Sequence, residues 1–251
     1  MTRISQEAPV PIFCVSQNHE KVTSEGMSSN LKSNLCSLGV ELENIVHITQ
    51  PETIVKTRFV DLKHHSHVFR CDNDAYVSSI DCDEYENQSN LISQIDATDV
   101  VIISDYDKGL ITQDVARFVC NTASSKGVPI YVDTKKRDIS CYEKATFIKL
   151  NEAEWNNLIG QNKTFADDRL IITLGSQGAR RGWITYLCEQ RKTVDVTGAG
   201  DVFLAAFVVH HMLMNDPAQA IHFANIAAGI SVERQGTTSI TLEEVLENDR
   251  H

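Results

Sequence analysis

From about residue 97 onward, the apolar residues of this chain fall into short unbroken blocks that end on polar side chains. Val100-Val101-Ile102-Ile103 runs into Ser104-Asp105, and Val128-Pro129-Ile130-Tyr131-Val132 runs into Asp133. Thr146-Phe147-Ile148 leads to Asn151 and a short helix. Leu170-Ile171-Ile172-Thr173 opens onto glycine-rich turns and a strand pair across residues 183–187. Blocks this short and this apolar read as buried strands. Between the first two, residues 112–126 read as a helix closed by Gly127. Strand alternating with helix predicts an α/β fold: a doubly wound, mainly parallel sheet flanked by helices. In such sheets, residues at the carboxyl ends of strands line the ligand crevice. Ser104, Asp105, Asp133 and Asn151 all stand at such ends.

The N-terminal third is less regular. It predicts a short strand at residues 10–15, a helix over 27–38 and two β-like runs at 54–62 and 67–71. We read the chain as a single domain over residues 1–251, with a reduced N-terminal β lid on the substrate side within roughly residues 1–75.

The apolar run of residues 202–209 is helical, and what precedes it carries the chemistry. Asp195-Val196-Thr197-Gly198-Ala199-Gly200-Asp201 is a glycine loop opening a helix. Glycines let backbone approach a ligand, and the first N–H groups of a helix point at an anion favoured by the helix dipole. Asp201 stands where that anion would bind. A carboxylate there is either a general base that deprotonates an attacking hydroxyl or a cap on a glycine turn. No Gly-Lys-Ser/Thr follows, so the loop is not a Walker A motif.

Composition narrows the partners. The net charge of −11 argues against a nucleic-acid or anionic-membrane binder, so a phosphorylated substrate would need a local basic pocket. No apolar run reaches membrane-spanning length, and the first residues lack a signal-peptide pattern. Seven scattered cysteines without a Cys-x-x-Cys pair fit reduced thiols in a cytoplasm. His64, His65 and His67 read as a solvated strand face rather than a metal site, because no further ligand stands at suitable spacing. His210 and His211 fall on a helix.

The glycine loop resembles the signature of the ribokinase-like (PfkB) sugar kinases. That resemblance implies that Asp201 is the catalytic base and that Gly198, Ala199 and Gly200 shape an anion hole built from the N–H groups of Ala199, Gly200 and Asp201. Thr173-Leu174-Gly175-Ser176-Gln177-Gly178 is similar to the family's T-x-G-x-x-G turn along the nucleotide phosphates. It implies nucleotide contacts from Thr173, Gly175 and Gly178, joined by Thr197, Asn225 and Gly236. Asn151-Glu152-Ala153-Glu154 resembles N-x-x-E, which makes Asn151 a nucleotide-site residue and both Asn151 and Glu154 magnesium residues. Locally the same pair reads equally as an N-capping box.

One branch fits further: the bacterial heptose-7-phosphate kinases. Ser104-Asp105-Tyr106-Asp107-Lys108-Gly109 is similar to its S-D-Y-x-K-G, and Asp133-Thr134-Lys135 to its D-P-K. Residues 3–11 resemble its R-I-S-P-E-A-P-V-P, and residues 223–229 with Gly236-Thr237 resemble its C-terminal helix and turn. The resemblance implies substrate contacts from Asp105, Lys108, Lys135 and Arg70, with Lys56 and Arg58 in a similar setting. It also places Asn30 and Asn34, which share a helix face, toward the sugar; a polar stripe is the alternative. ATP and Mg²⁺ are the implied cofactors, with a monovalent cation as a further candidate.

Three departures fall on the sugar side. The family's opening strand would lie before Met1, Met27 replaces a glycine of the sugar loop, and the stretch between Val40 and Thr53 is short. A narrower sheet leaves an edge that is either covered by a partner chain, hence an expected homodimer, or simply left at the margin. The chain stops at His251 without an H-x-G-H, so no fused nucleotidyltransferase is expected. The expected function is ATP-dependent phosphorylation of a sugar phosphate, most simply heptose 7-phosphate. A weakly catalytic, nucleotide-binding regulatory relative and a kinase of a nucleoside or other small alcohol are the alternatives.

Overall fold

The computed structural model describes residues 2–4, 11–13, 26–50, 52–61, 66–73, 77–81, 85–158 and 167–249. Strands β1 (Thr2–Ile4) and β2 (Pro11–Phe13) pair antiparallel, and helix α1 (Met27–Ser37) follows. Strands β3 (Val55–Asp61) and β4 (Ser66–Asn73) form a second antiparallel pair, and α2 is Tyr85–Asp96. The regular part then runs β5 (Val101–Asp105), α3 (Gln113–Lys126), β6 (Ile130–Thr134), β7 (Phe147–Asn151), α4 (Glu152–Asn156) and β8 (Leu170–Thr173). It ends with β9 (Ala179–Arg181), β10 (Ile184–Tyr186), α5 (Ala199–Met214), α6 (Pro217–Ser231) and α7 (Leu242–Asn248).

The main sheet has the order β10-β9-β8-β7-β6-β5. Its strands β5 to β8 are parallel, and β9 and β10 add antiparallel strands beyond β8. Side chains alternate between two buried layers, as the period of two along a strand requires. Tyr131, Phe147 and Ile171 pack with α1, α5 and α6. Ile130, Val132, Ile148, Leu150, Leu170 and Ile172 pack with α3 and the following turns. Helices therefore cover both faces, as the doubly wound reading expected.

The helix ends follow from local chemistry. Thr112 caps α3 by accepting from the Val115 N–H, and Gly127 closes it. Asp216 and Pro217 start α6, and a Thr241/Glu244 capping box starts α7. Helix α5 is apolar nearly all round and packs against α1 and α6 as well as the sheet, so it is the buried spine of one layer. Helices α2 and α7 have no counterpart in the sequence reading. Both carry mostly polar residues, and each buries little more than a single apolar side chain, Ile95 and Val245 respectively. The His64–His65 pair lies outside the described residues. Among the described residues, no helix is long and apolar enough to cross a membrane.

Candidate active site

The N-terminus of α5 stands against the carboxyl ends of β6 and β7. Gly198 precedes the helix at φ +82°. A Cβ there would sit 2.8 Å from Asn30 Nδ2, so a side chain would be both strained and crowded. Among the described residues, the Gly200 N–H meets no carbonyl, whereas the Asp201 N–H bonds to Gly198 O at 3.0 Å and the Ala199 N–H to Val196 O at 3.3 Å. The loop is tied from behind by Asp195. Its Oδ1 accepts from the Thr197 N–H and hydroxyl at 2.9 and 2.7 Å, and its Oδ2 accepts from the Gly236 N–H at 3.0 Å.

Asp201 is 5% exposed. Its Oδ2 accepts from Asn30 Nδ2 at 2.9 Å and its Oδ1 from the Tyr106 hydroxyl at 3.0 Å. Burial raises the carboxyl pKa above the ordinary aspartate value, although the Asn30 hydrogen bond favours the charged form. A carboxylate held by two donors and made more basic by burial is suited to accept a proton. Tyr106 has its own pKa pushed far up by burial and by Asp201, so it donates and does not ionise.

Parallel register puts Asp133 beside Lys149 on the α5 face of the sheet. Their ion pair measures 2.7 Å and is buried, Lys149 being 6% exposed. Desolvation alone would discharge Lys149, but the charge and hydrogen bond of Asp133 more than reverse it and raise its pKa. Removing one partner of such a pair strands a buried charge, at a cost of about 3–5 kcal/mol. Glu154 lies close enough to act on both Lys149 and Tyr106 through its charge.

Asn151 and Glu154 form a complete capping box at the start of α4, with reciprocal bonds of 2.8 and 2.7 Å. Glu154 Oε1 also pairs with Lys135 Nζ at 2.7 Å. Among the described residues, no cluster of three or more acidic, His or Cys groups forms a protein cage for a metal. A single carboxylate such as Glu154 fits Mg²⁺ carried in with a nucleotide, because that ion keeps most of its ligands as water and phosphate oxygen.

Residues 22–244 match the pfkB family carbohydrate kinase model. The chain belongs to the pfkB family. The bifunctional protein HldE of Granulibacter bethesdensis is 27% identical over 298 residues, covering 97% of this chain and 60% of that protein. HldE of Shewanella putrefaciens is 29% identical over 289 residues, covering 98% and 59%. The chain thus spans about three-fifths of the length of these relatives. Ribokinase from Thermotoga maritima shares the fold with a TM-score of 0.62 at 16% identity, covering 89% of this chain and 86% of that one. Arabidopsis thaliana ribokinase complexed with ribose and ATP gives 0.55 at 21%, covering 63% and 58%.

Within this pfkB kinase, the residues singled out from sequence separate into distinct groups. Asn30 reaches Asp201 directly. Asn34 is fully buried and donates to Asn30, while its oxygen accepts from the Ile240 N–H, so it steadies Asn30 from behind. Asp105 requires a correction. Strand alternation turns it to the face opposite Lys149, where it accepts from Tyr142 Oη at 2.6 Å, Thr134 Oγ1 at 3.2 Å and the Asp107 N–H at 2.9 Å. Lys136 Nζ lies 3.2 Å from it. With those partners, Asp105 fastens the end of β5 on the face of the sheet away from Lys149. Lys135 Nζ and Lys56 Nζ stand over the Tyr106 ring, at 5.1 and 5.6 Å from its centroid. Lys108 is half-buried in the turn after β5.

Arg70 lies on β4, paired with Asp72 at 2.5 Å and directly opposite Arg58. Register places Lys56, Arg58, Arg70 and Asp72 on one face of the β3–β4 pair, the face whose Lys56 reaches Tyr106. On the other side of the fold, the Thr173–Gly178 turn closes through Leu174 N–H to Gly178 O at 2.8 Å. Gly178 has φ +89°, and a Cβ would lie 2.1 Å from Tyr186 O. Gly175 opens the turn's 3-10 segment, and Thr173 Oγ1 bonds back to Leu150 O at 3.4 Å. Asn225 donates to Tyr186 O at 2.9 Å, at the edge of a cleft of about 110 Å³ between the segment after β10, α6 and the end of α7. The sequence reading missed Lys149 and assigned no role to Tyr106.

Proposed function

We propose that this kinase moves the γ-phosphoryl group of ATP onto a hydroxyl of a sugar phosphate, with heptose 7-phosphate as the acceptor. The observation that carries the reading is Asp201. It is a buried, basic carboxylate beside an open Gly200 N–H at the mouth of α5. The nucleotide would run from the Asn225 cleft along the Thr173–Gly178 turn toward the glycine loop, where Thr197 and Gly236 hold the loop to Asp195. The acceptor hydroxyl takes the place of the Tyr106 hydroxyl at Asp201 Oδ1. As its oxygen bonds to the γ-phosphorus and the bond to the β-phosphate bridge breaks, its proton passes to Asp201. The Gly200 N–H and the α5 dipole face the charge that develops on the transferring group. Glu154, seated by Asn151, would hold Mg²⁺, which neutralises phosphate charge when bound.

The β3–β4 pair is read as the lid of a single domain. Its basic face, with Lys135 and Lys108, supports an acceptor that carries its own phosphate. The HldE relatives support a heptose skeleton. The test is turnover of Mg-ATP with heptose 7-phosphate, the unphosphorylated heptose and other sugar phosphates, by wild type and Asp201→Asn. Turnover by wild type on the phosphorylated heptose is expected, with the variant binding ATP but slowed about 10²–10⁴-fold. Equal use of the free sugar sinks the sugar-phosphate assignment. A fully active variant removes Asp201 as the base.

A further inference from the structure

The geometry points to Lys149 as a built-in cation of the phosphoryl-transfer site, held by Asp133 beneath the glycine loop to stabilise the transferring group. The inference rests on the kinase reading above. Lys149 lies on β7 between Ile148 and Leu150, both buried on the opposite face. Alternation sends its side chain toward α5, where a Cβ on Gly200 would stand 2.8 Å from Nζ. A side chain at residue 200 would press on the ammonium and displace it, so glycine leaves Lys149 its place under the loop. The only anion bonded to Nζ among the described residues is Asp133, at 2.7 Å. Asp201 and Glu154 lie within charge range.

Charge bookkeeping around the loop makes the cation matter. Asp133, Glu154, Asp195 and Asp201 bring four carboxylates; Lys149, Lys135 and Lys56 bring three ammonium groups. Lys135 is half-exposed and screened, whereas Lys149 is buried. A fixed charge in a water-poor site acts more strongly than one in solvent. It also costs no reorganisation when charge develops on the transferring group. Lys149 lies behind the helix N-terminus and adds to the dipole's attraction for an anion at the Gly200 N–H.

A merely structural ion pair would behave differently. Losing either partner would then have the same consequence, and removing both together would restore it. The experiment compares Lys149→Met, Asp133→Asn and the neutral double variant, which leaves no stranded charge and is expected to fold. Two readouts are used: kcat and KM for Mg-ATP with heptose 7-phosphate, and calorimetric affinity for Mg-ADP with and without aluminium fluoride, a mimic of the group in flight.

We expect kcat to fall about 10²-fold in both variants lacking Lys149, with KM for ATP changed little. Aluminium fluoride should tighten Mg-ADP binding in wild type and lose most of that effect in the double variant. Asp133→Asn keeps the lysine but removes the charge that holds its proton, so kcat should fall there too and recover in part as pH is lowered. If the double variant regains wild-type kcat, or tightens on aluminium fluoride as wild type does, the inference is overturned while the kinase reading stands. Wild-type protein that binds neither nucleotide form overturns both.

Discussion

At the scale of single residues, function and stability pull Asp201 in opposite directions. Burial raises its pKa in the folded state. A group so shifted favours folding below its unfolded pKa, and that contribution is lost as pH rises through the folded value. At neutral pH the buried charge therefore weakens the fold. Asp201→Asn should melt higher than wild type near pH 7, and the difference should shrink as pH falls toward the ordinary aspartate range. Thermal melts of the two proteins from pH 4 to 8 check this. A variant that melts lower at pH 7 would mean that the Asn30 and Tyr106 hydrogen bonds outweigh the desolvation. If Asp201 is the base proposed above, kcat/KM should show an acid limb displaced above the usual aspartate pKa.

Asp201 and Asn30 were legible in the sequence because each stands in a local pattern, a glycine loop and an i, i+4 helix pair. Lys149 was not. A single lysine in an apolar run reads as an interruption, and its partner Asp133 lies across a crossover. Only the parallel register places them side by side. The useful signal was a charged residue at the same depth near the ends of two successive buried strands. Asp105 shows the converse. Its place at a strand end was read correctly, but the period of two sends neighbouring residues to opposite faces, and Asp105 faces away from α5.

Between elements, the parallel strands were easy to read because strands buried on both faces leave unbroken apolar blocks. Helix α2 was not, because a mostly polar helix that buries little beyond Ile95 has no such mark. The β3–β4 pair was visible as two β-like runs, but its polarity is a matter of pairing. Lys56 faces Asp72 and Arg58 faces Arg70, while Phe59 faces Phe69 on the other side. Two arginines directly opposed repel, a cost that a bound dianion would relieve. Arg58→Ala and Arg70→Ala should each raise KM for the phosphorylated acceptor several-fold and leave KM for ATP unchanged. Each should also flatten the rise of that KM with salt, since charge-assisted contacts are screened. Steady-state kinetics at low and high salt decide it. Unchanged acceptor KM in both variants would place the acceptor phosphate elsewhere, with Lys56, Lys108 and Lys135 as the next cations to test.

For the whole molecule, the unresolved balance lies on the lid's other side. An isolated two-stranded sheet is marginally stable in water and needs a surface to pack on. The basic face has the crevice. The opposite face presents Phe59 and Phe69, 39% and 50% exposed, with ring centroids 5.6 Å apart. Aromatic rings this exposed forfeit part of the burial that would otherwise fix the strands. The net charge of −11 also favours separate molecules unless apolar contact offsets the repulsion. We expect a homodimer in which a second copy covers this aromatic face. The stiffened lid would then hold its basic face over the acceptor. Phe69→Glu should give a monomer in sedimentation velocity, with a raised acceptor KM and unaltered ATP binding, because the Thr173–Gly178 turn and the Asn225 cleft are built from other elements than β3 and β4. Wild type that sediments as a monomer at all concentrations used for kinetics defeats the dimer. A dimer that survives Phe69→Glu moves its contact to another surface, where β5, the end strand of the main sheet among the described residues, is the next to probe.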